Sequence, residues 1–315
     1  MKRILIGIFL ISCFKLSFSQ KANKITVLNF SGVIANYPVE MRLEFSERND
    51  SIQGAYYYKR SGFDKKIYLQ GTIVNGYVTL TENAYNQNKK KFEDTGYFNL
   101  SYQNGSLSGS WQKTPDATKE KILFTILVRR EDLSALNLSE YQFIFTRKPY
   151  NYKYTEDYTK TYHQLLSLDI KKNNVTKWLL KGFNEESLMT DNDIILEDIN
   201  FDGLVDIKIP INFPGRTKSD FGFLYFIYNR SSNNFIQNQQ LNDLEFVESN
   251  TAKKEILKYD ADGNGNEGTK FYKWQNRKLY LVREERVYEN DVYTHYTEYG
   301  FLNGKNVVTK TYKKK

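Results

Sequence analysis

Val39-Glu40-Met41-Arg42-Leu43-Glu44-Phe45 alternates apolar and charged residues without a break. Successive side chains of a strand point to opposite faces, so this spacing predicts a strand with one dry face and one wet face. Working outward from it, similar short segments follow at 52–59, 66–74, 77–81, 92–102, 106–111 and 121–128. Asn75-Gly76 and Asn104-Gly105 sit between neighbouring segments, and Asn-Gly tolerates the positive φ angles of a tight hairpin. Consecutive strands joined by short turns make an antiparallel meander, and about eight of them suffice to close a small barrel.

Composition agrees with this start. The chain has 315 residues with 25 Tyr and 21 Phe but only 5 Pro, 3 Met and 2 His, a profile that favours pleated surfaces. Hydrophobic content of 40% and charged content of 26% place it among soluble globular chains and exclude a disordered one. The alternation fails at 129–138, where Arg129-Arg130-Glu131-Asp132 is charged, and a domain boundary is placed there. Strand patterns resume at 141–146, 161–170, 175–181, 194–197, 205–209 and 222–229, and again at 254–259, 269–274, 278–287, 292–299 and 306–312. Segments 274–279 and 301–305 read as hairpins, and only 134–140 or 239–245 could form a short helix. The predicted organisation is all-β: a meander or barrel over 24–130, then a second β domain over 140–315.

The N-terminus has the form of an export signal. Met1-Lys2-Arg3 is basic, Ile4 to Phe14 is apolar, and Ser17-Phe18-Ser19 places small residues at alternate positions before a cut after Ser19. The apolar stretch is too short for a permanent span, and no later segment is apolar enough for one. This predicts an exported protein of the periplasm or medium. The alternative is acylation at Cys13, since Leu10-Ile11-Ser12-Cys13 has the form of a lipobox; the membrane is expected as a partner only then, with an anchor in the outer membrane. A single cysteine excludes an intrachain disulfide framework and a cysteine-based zinc site. Removing residues 1–19 lowers the formal charge from +8 to +5, and the basic clusters at 88–91 and 310–315 read as a solvated loop and tail, with no nucleic acid implied.

Asp198-Ile199-Asn200-Phe201-Asp202-Gly203-Leu204-Val205-Asp206 carries the most specific chemistry. Calcium takes about six to eight oxygens, and side-chain oxygens of Asp198, Asn200 and Asp202 at alternate positions can curl around one ion. Gly203 permits the sharp turn, Leu204 offers its carbonyl, and Asp206 closes the set. Ile209 stands where an EF-hand would have its bidentate glutamate, and the flanks read as strands. The expected site is therefore a strand–loop–strand calcium clamp, of the sort seen in β-propeller repeats, and the competing reading is a solvated Asx-turn hairpin. Asp260, Asp262, Asn264 and Glu267 repeat the first half of the pattern without its closing ligand. They are a second metal candidate that also reads as an ordinary turn.

His163 and His295 lie in no metal spacing and beside no nucleophile motif, so each reads as a strand residue with a satisfied ring. No phosphate-binding glycine loop is present, and Glu185-Glu186 and Glu284-Glu285 are adjacent only in sequence. The expected class is non-enzymatic. Tyr56-Tyr57-Tyr58 and the aromatic run 221–228 could stack sugar rings, although strand aromatics more often pack a core.

Residues 141–287 resemble a bacterial family of exported calcium-binding proteins with a β-propeller-like fold. The similarity is carried by Asp198-x-Asn200-Phe201-Asp202-Gly203-x-x-Asp206, by 221–229 with Asn234-Phe235, by Tyr272-x-Trp274 and by Lys278-Leu279-x-Leu281-Val282. The resemblance implies a propeller-like fold for 140–315 and a structural Ca²⁺ ion. It also implies an envelope protein as partner, since some members inhibit lysozyme-like cell-wall hydrolases. A surface glycan-binding protein using the aromatic strands is the alternative.

Overall fold

A computed structural model describes residues 17–126, 140–183, 187–214, 221–302 and 305–315. Cys13, the charged break at 129–138 and Glu185-Glu186 lie outside them, as does most of the predicted signal and of the helix candidate 134–140. The protein is all-β, with strands in a 17-stranded sheet and a separate 6-stranded sheet.

The opening heptapeptide lies in β3 (Tyr37–Ser46), whose Val39, Met41 and Leu43 are buried on one face. It belongs to an antiparallel meander of β2 (Asn23–Ile34), β3, β4 (Ser51–Tyr58), β5 (Ile67–Val74), β6 (Tyr77–Asn86), β7 (Lys91–Gln103), β8 (Ser106–Gln112) and β9 (Glu120–Ile126). Each strand pairs with the next, and β9 pairs back onto residues 30–34 of β2. The pairings therefore run in a ring, which removes exposed edges that would otherwise recruit another chain. The inner faces meet in a core that includes Phe30, Leu43, Tyr56, Leu80, Phe98 and Phe124. Both Asn-Gly turns have positive φ at both residues, as a tight hairpin requires. Strands approach closely at Gly71, where a Cβ would lie 1.8 Å from the Thr79 carbonyl oxygen, so only glycine fits.

β2 serves two units. Residues 23–26 pair in parallel with β14 (Asp193–Glu197), on the edge that β9 occupies farther along. Before it, β1 (Phe18–Lys21) pairs with β10 (Tyr141–Lys153), so a cut after Ser19 would fall inside β1. β10 forms a long hairpin with β11 (Thr159–Lys172), which on its other edge takes β12 (Val175–Leu180) and β13 (Leu188–Met189). β15 (Asp206–Asn212) pairs with β14 and β13 on one edge and with β16 (Phe221–Asn229) on the other, and β16 turns into β17 (Asn234–Gln237). These strands enclose a second core that includes Phe143, Phe145, Leu168, Leu196, Ile207 and Ile209.

α1 (Gln239–Leu244) falls within the expected helix 239–245, and the Asn238 side chain caps it by accepting from the Leu241 N–H. The separate sheet is a meander of β18 (Glu248–Asn250), β19 (Glu255–Ala261), β20 (Glu267–Gln275), β21 (Lys278–Val287), β22 (Thr294–Leu302) and β23 (Lys305–Lys314). Its first strands pack on α1 and β16 through Leu241, Tyr225, Val247 and Ile256, whereas β22 and β23 bury no residue. Over 140–315 the expected β-structure holds. Segment 141–237 shares a sheet with the ring through β2, and 248–314 forms a sheet of its own. These pairings do not by themselves confirm a propeller-like arrangement of 140–315.

Candidate functional site

The loop 198–206 links β14 to β15, as its flanks predict. Asp198 and Asp206 are buried, while Asp202 is exposed. Asp198 accepts N–H bonds from Asp202 at 3.1 Å and from Gly203 at 2.9 Å, and Asp202 accepts from Leu204 at 2.9 Å. The Asn200 amide donates to Asp202 at 2.9 Å. Asp206 accepts from the Ile199 N–H at 3.0 Å and the Tyr228 N–H at 2.9 Å, tying the loop to β16. Burial pushes the Asp206 carboxyl well above the usual range, the Asp198 and Asp202 carboxylates add to this, and the two N–H bonds oppose it. Phe201 holds φ 60° and Gly203 φ 87°. A left-handed aromatic residue is strained by about 1–2 kcal/mol, and here it points a buried ring into the core shared with the separate sheet. Trp274 of β20 donates to the Ile199 carbonyl at 3.0 Å.

Among the described residues, no group of three or more His, Cys, Asp or Glu side chains is arranged to hold a metal ion. The carboxylates are turned to N–H groups of the loop and, for Asp206, also to that of Tyr228. Their chemistry nonetheless suits a hard cation, because a carboxylate oxygen that accepts one N–H keeps a second lone pair.

The second acidic segment forms the β19–β20 turn. Asp260 bonds Lys270 at 3.0 Å, which lowers its pKa, and Asp262 accepts from the Asn264 N–H at 2.7 Å. Asn264 and Glu267 are exposed. His163 faces Phe18 and its Nδ1 has no hydrogen-bond partner, so its ring is less satisfied than expected; burial lowers its pKa. His295 bonds Asp291 at 2.6 Å.

Next to the acidic loop, Glu197 joins all three parts of the fold. It is fully buried at the end of β14 and accepts from Lys208 of β15 at 3.0 Å and from Ser249 of β18 at 2.5 Å. Arg42 of the ring reaches it at 3.5 Å and also pairs with Glu44. Burial alone would raise the Glu197 pKa, but Lys208 and Arg42 outweigh it and hold the carboxyl at about 2. Lys66, at the foot of β5, pairs with Glu248 of β18.

Arg42, Glu44, Lys66, Lys208, Glu248 and Ser249 line a cleft of about 900 Å³ between the outer face of the ring and the wall formed by β14, β15, β16 and β18, with Glu197 buried behind them. Glu40, Arg42 and Glu44, the charged half of the opening heptapeptide, line it. So do aromatic side chains from both walls, Tyr57, Phe63, Tyr68 and Phe92 on one and Phe223 and Phe246 on the other. Sequence reading left Glu197 and Lys208 out of the site. The signal was present, since a charge set among isoleucines and leucines in a buried strand needs a partner.

No protein-family model matches the chain, and no curated protein matches it. Two solved structures show weak similarity. One is a Xanthomonas protein described as related to a type IV secretion system, with 12% identity, 54% of this chain and 90% of that chain covered, and a TM-score of 0.40. The other is a candidate 6-phosphogluconolactonase from Bacteroides uniformis, with 9% identity, 89% and 95% covered, and a TM-score of 0.22. At these TM-scores neither carries an argument about this chain.

Proposed function

We propose that the chain is an exported, non-enzymatic binding protein of the cell envelope in which loop 198–206 is a structural calcium clamp. The observation that carries this reading is the loop itself. Asp198 and Asp206 are buried, and exposed Asp202 adds to the charge felt by Asp206, on nine residues whose backbone includes a left-handed Phe201. Asp198, Asn200, Asp202, Asp206 and the Leu204 carbonyl would hold the ion, which would neutralise the clustered carboxylates. Its role would be structural, because the loop lies beneath the separate sheet, where Ile199 and Phe201 join that sheet's core. The expected partner is an envelope protein such as a lysozyme-like hydrolase, from the family resemblance.

A ligand bound only by the folded state stabilises it, by about 2.7 kcal/mol at a hundredfold excess over Kd. Thermal unfolding in 1 mM calcium should therefore rise several degrees above that in chelator, and Asp202→Ala should abolish the difference. An equal shift in the variant, or none in the wild type, removes the calcium reading. Inhibition of a lysozyme-type enzyme at near-stoichiometric ratio, with no turnover, tests the partner; cleavage of a cell-wall substrate by the chain would overturn the non-enzymatic reading.

A further inference from the structure

We propose that the cleft between the ring and the β14–β18 wall binds a neutral oligosaccharide. Three buried polar atoms of its lining, Glu40 Oε2, Arg42 Nε and Thr251 Oγ1, have no hydrogen-bond partner. Glu40 is 5% exposed and Thr251 7%. An unmet buried polar group costs about 1–3 kcal/mol, so a ligand that reached these three would gain from pairing them. The set is mixed: a carboxylate that only accepts, a guanidinium N–H that only donates, and a hydroxyl that does both. A sugar ring, whose hydroxyls donate and accept around its rim, carries both kinds of partner.

Charge narrows the class further. Arg42 is matched by Glu44 and Glu197, Lys208 by Glu197, Lys66 by Glu248, and Glu40 by Lys59. The ionic groups of the cleft are thus mutually neutralised, and an anionic chain would find no spare cation. Aromatic faces supply the remaining element. Tyr68, Phe92 and Phe246 line the cleft yet are 59%, 63% and 46% exposed, which leaves flat apolar surfaces for the C–H faces of sugar rings. At about 900 Å³ the cleft has the size of a ligand site.

The inference names a ligand for the binding-protein reading, on which it rests, and is independent of calcium. Calorimetric titration of the full mature chain with cellotetraose, chitotetraose and trigalacturonate tests it. At least one neutral tetrasaccharide should bind, and trigalacturonate should bind at least tenfold more weakly. Tyr68→Ala/Phe92→Ala, which alters exposed rings only, should weaken binding at least tenfold with unchanged melting temperature. Thr251→Val, which removes the unpartnered hydroxyl at nearly constant volume, should also weaken it. The proposal is overturned if neither neutral sugar binds, if both variants bind as the wild type does, or if trigalacturonate binds equally well. A chain that binds no sugar but still inhibits a hydrolase stoichiometrically loses this inference alone.

Discussion

Glu197 shows how one side chain can decide an interface. Its carboxylate is buried with Lys208, Ser249 and Arg42 drawn from three different parts of the fold. Removing one partner of a buried ion pair strands the other, typically at a cost of about 3–5 kcal/mol. The sign of the pH dependence follows from a folded pKa near 2 against an ordinary 4.5. Stability from Glu197 is complete above about pH 5 and is lost as pH falls through 4.5 towards 2. Glu197→Gln should therefore cost on the order of 3 kcal/mol at pH 7 and clearly less at pH 3, read by urea unfolding at each pH. An equal loss at both values would show that the charge is not what matters.

At the scale of elements, the ring depends on close strand crossings. A Cβ at Gly71 would sit 1.8 Å from the Thr79 carbonyl oxygen, and one at Gly54 would sit 2.1 Å from the Arg42 carbonyl oxygen. Neither backbone atom can yield without parting a hydrogen-bonded pair. Gly71→Ala is expected to destabilise by at least about 2 kcal/mol, within the range for overpacking. Gly62→Ala has open space around it but a φ of +84°, so about 1 kcal/mol is expected there. Denaturant midpoints measure both, and a Gly71→Ala midpoint equal to wild type would refute the crossing argument. Asn75-Gly76 and Asn104-Gly105 show the opposite situation, in which a local dipeptide suited to positive φ occupies the turn.

Across the whole molecule, β2 is the shared member. It is paired along residues 25–34 with β3, and its other edge is divided between β14 and β9. Unfolding the ring would therefore unpair β14, and losing Glu197's neighbours would open the separate sheet. The expectation is one cooperative transition. The three tryptophans make it measurable: Trp111 is in β8, Trp178 in β12 and Trp274 in β20. Variants retaining one tryptophan each should report the same denaturant midpoint, and separated midpoints would mean that the parts unfold independently.

Most of the strands were legible from residue order, because alternation and turn dipeptides act between near neighbours. Segments 39–45, 52–59, 66–74, 92–102 and 278–287 correspond to β3, β4, β5, β7 and β21. The position of the acidic loop between two strands was legible for the same reason, since its nine residues are contiguous and their flanks alternate as strands do. What lay beyond local reading was long-range. The double pairing of β2, the placement of β1 against β10 and the division of 140–315 between two sheets depend on which distant edge each strand meets. Arg42 and Glu197 stand 155 positions apart, and nothing local to either predicts that their side chains meet. The wet face of the opening heptapeptide was read correctly as polar. Only the tertiary structure showed that this face is covered by a second wall and lines a cleft.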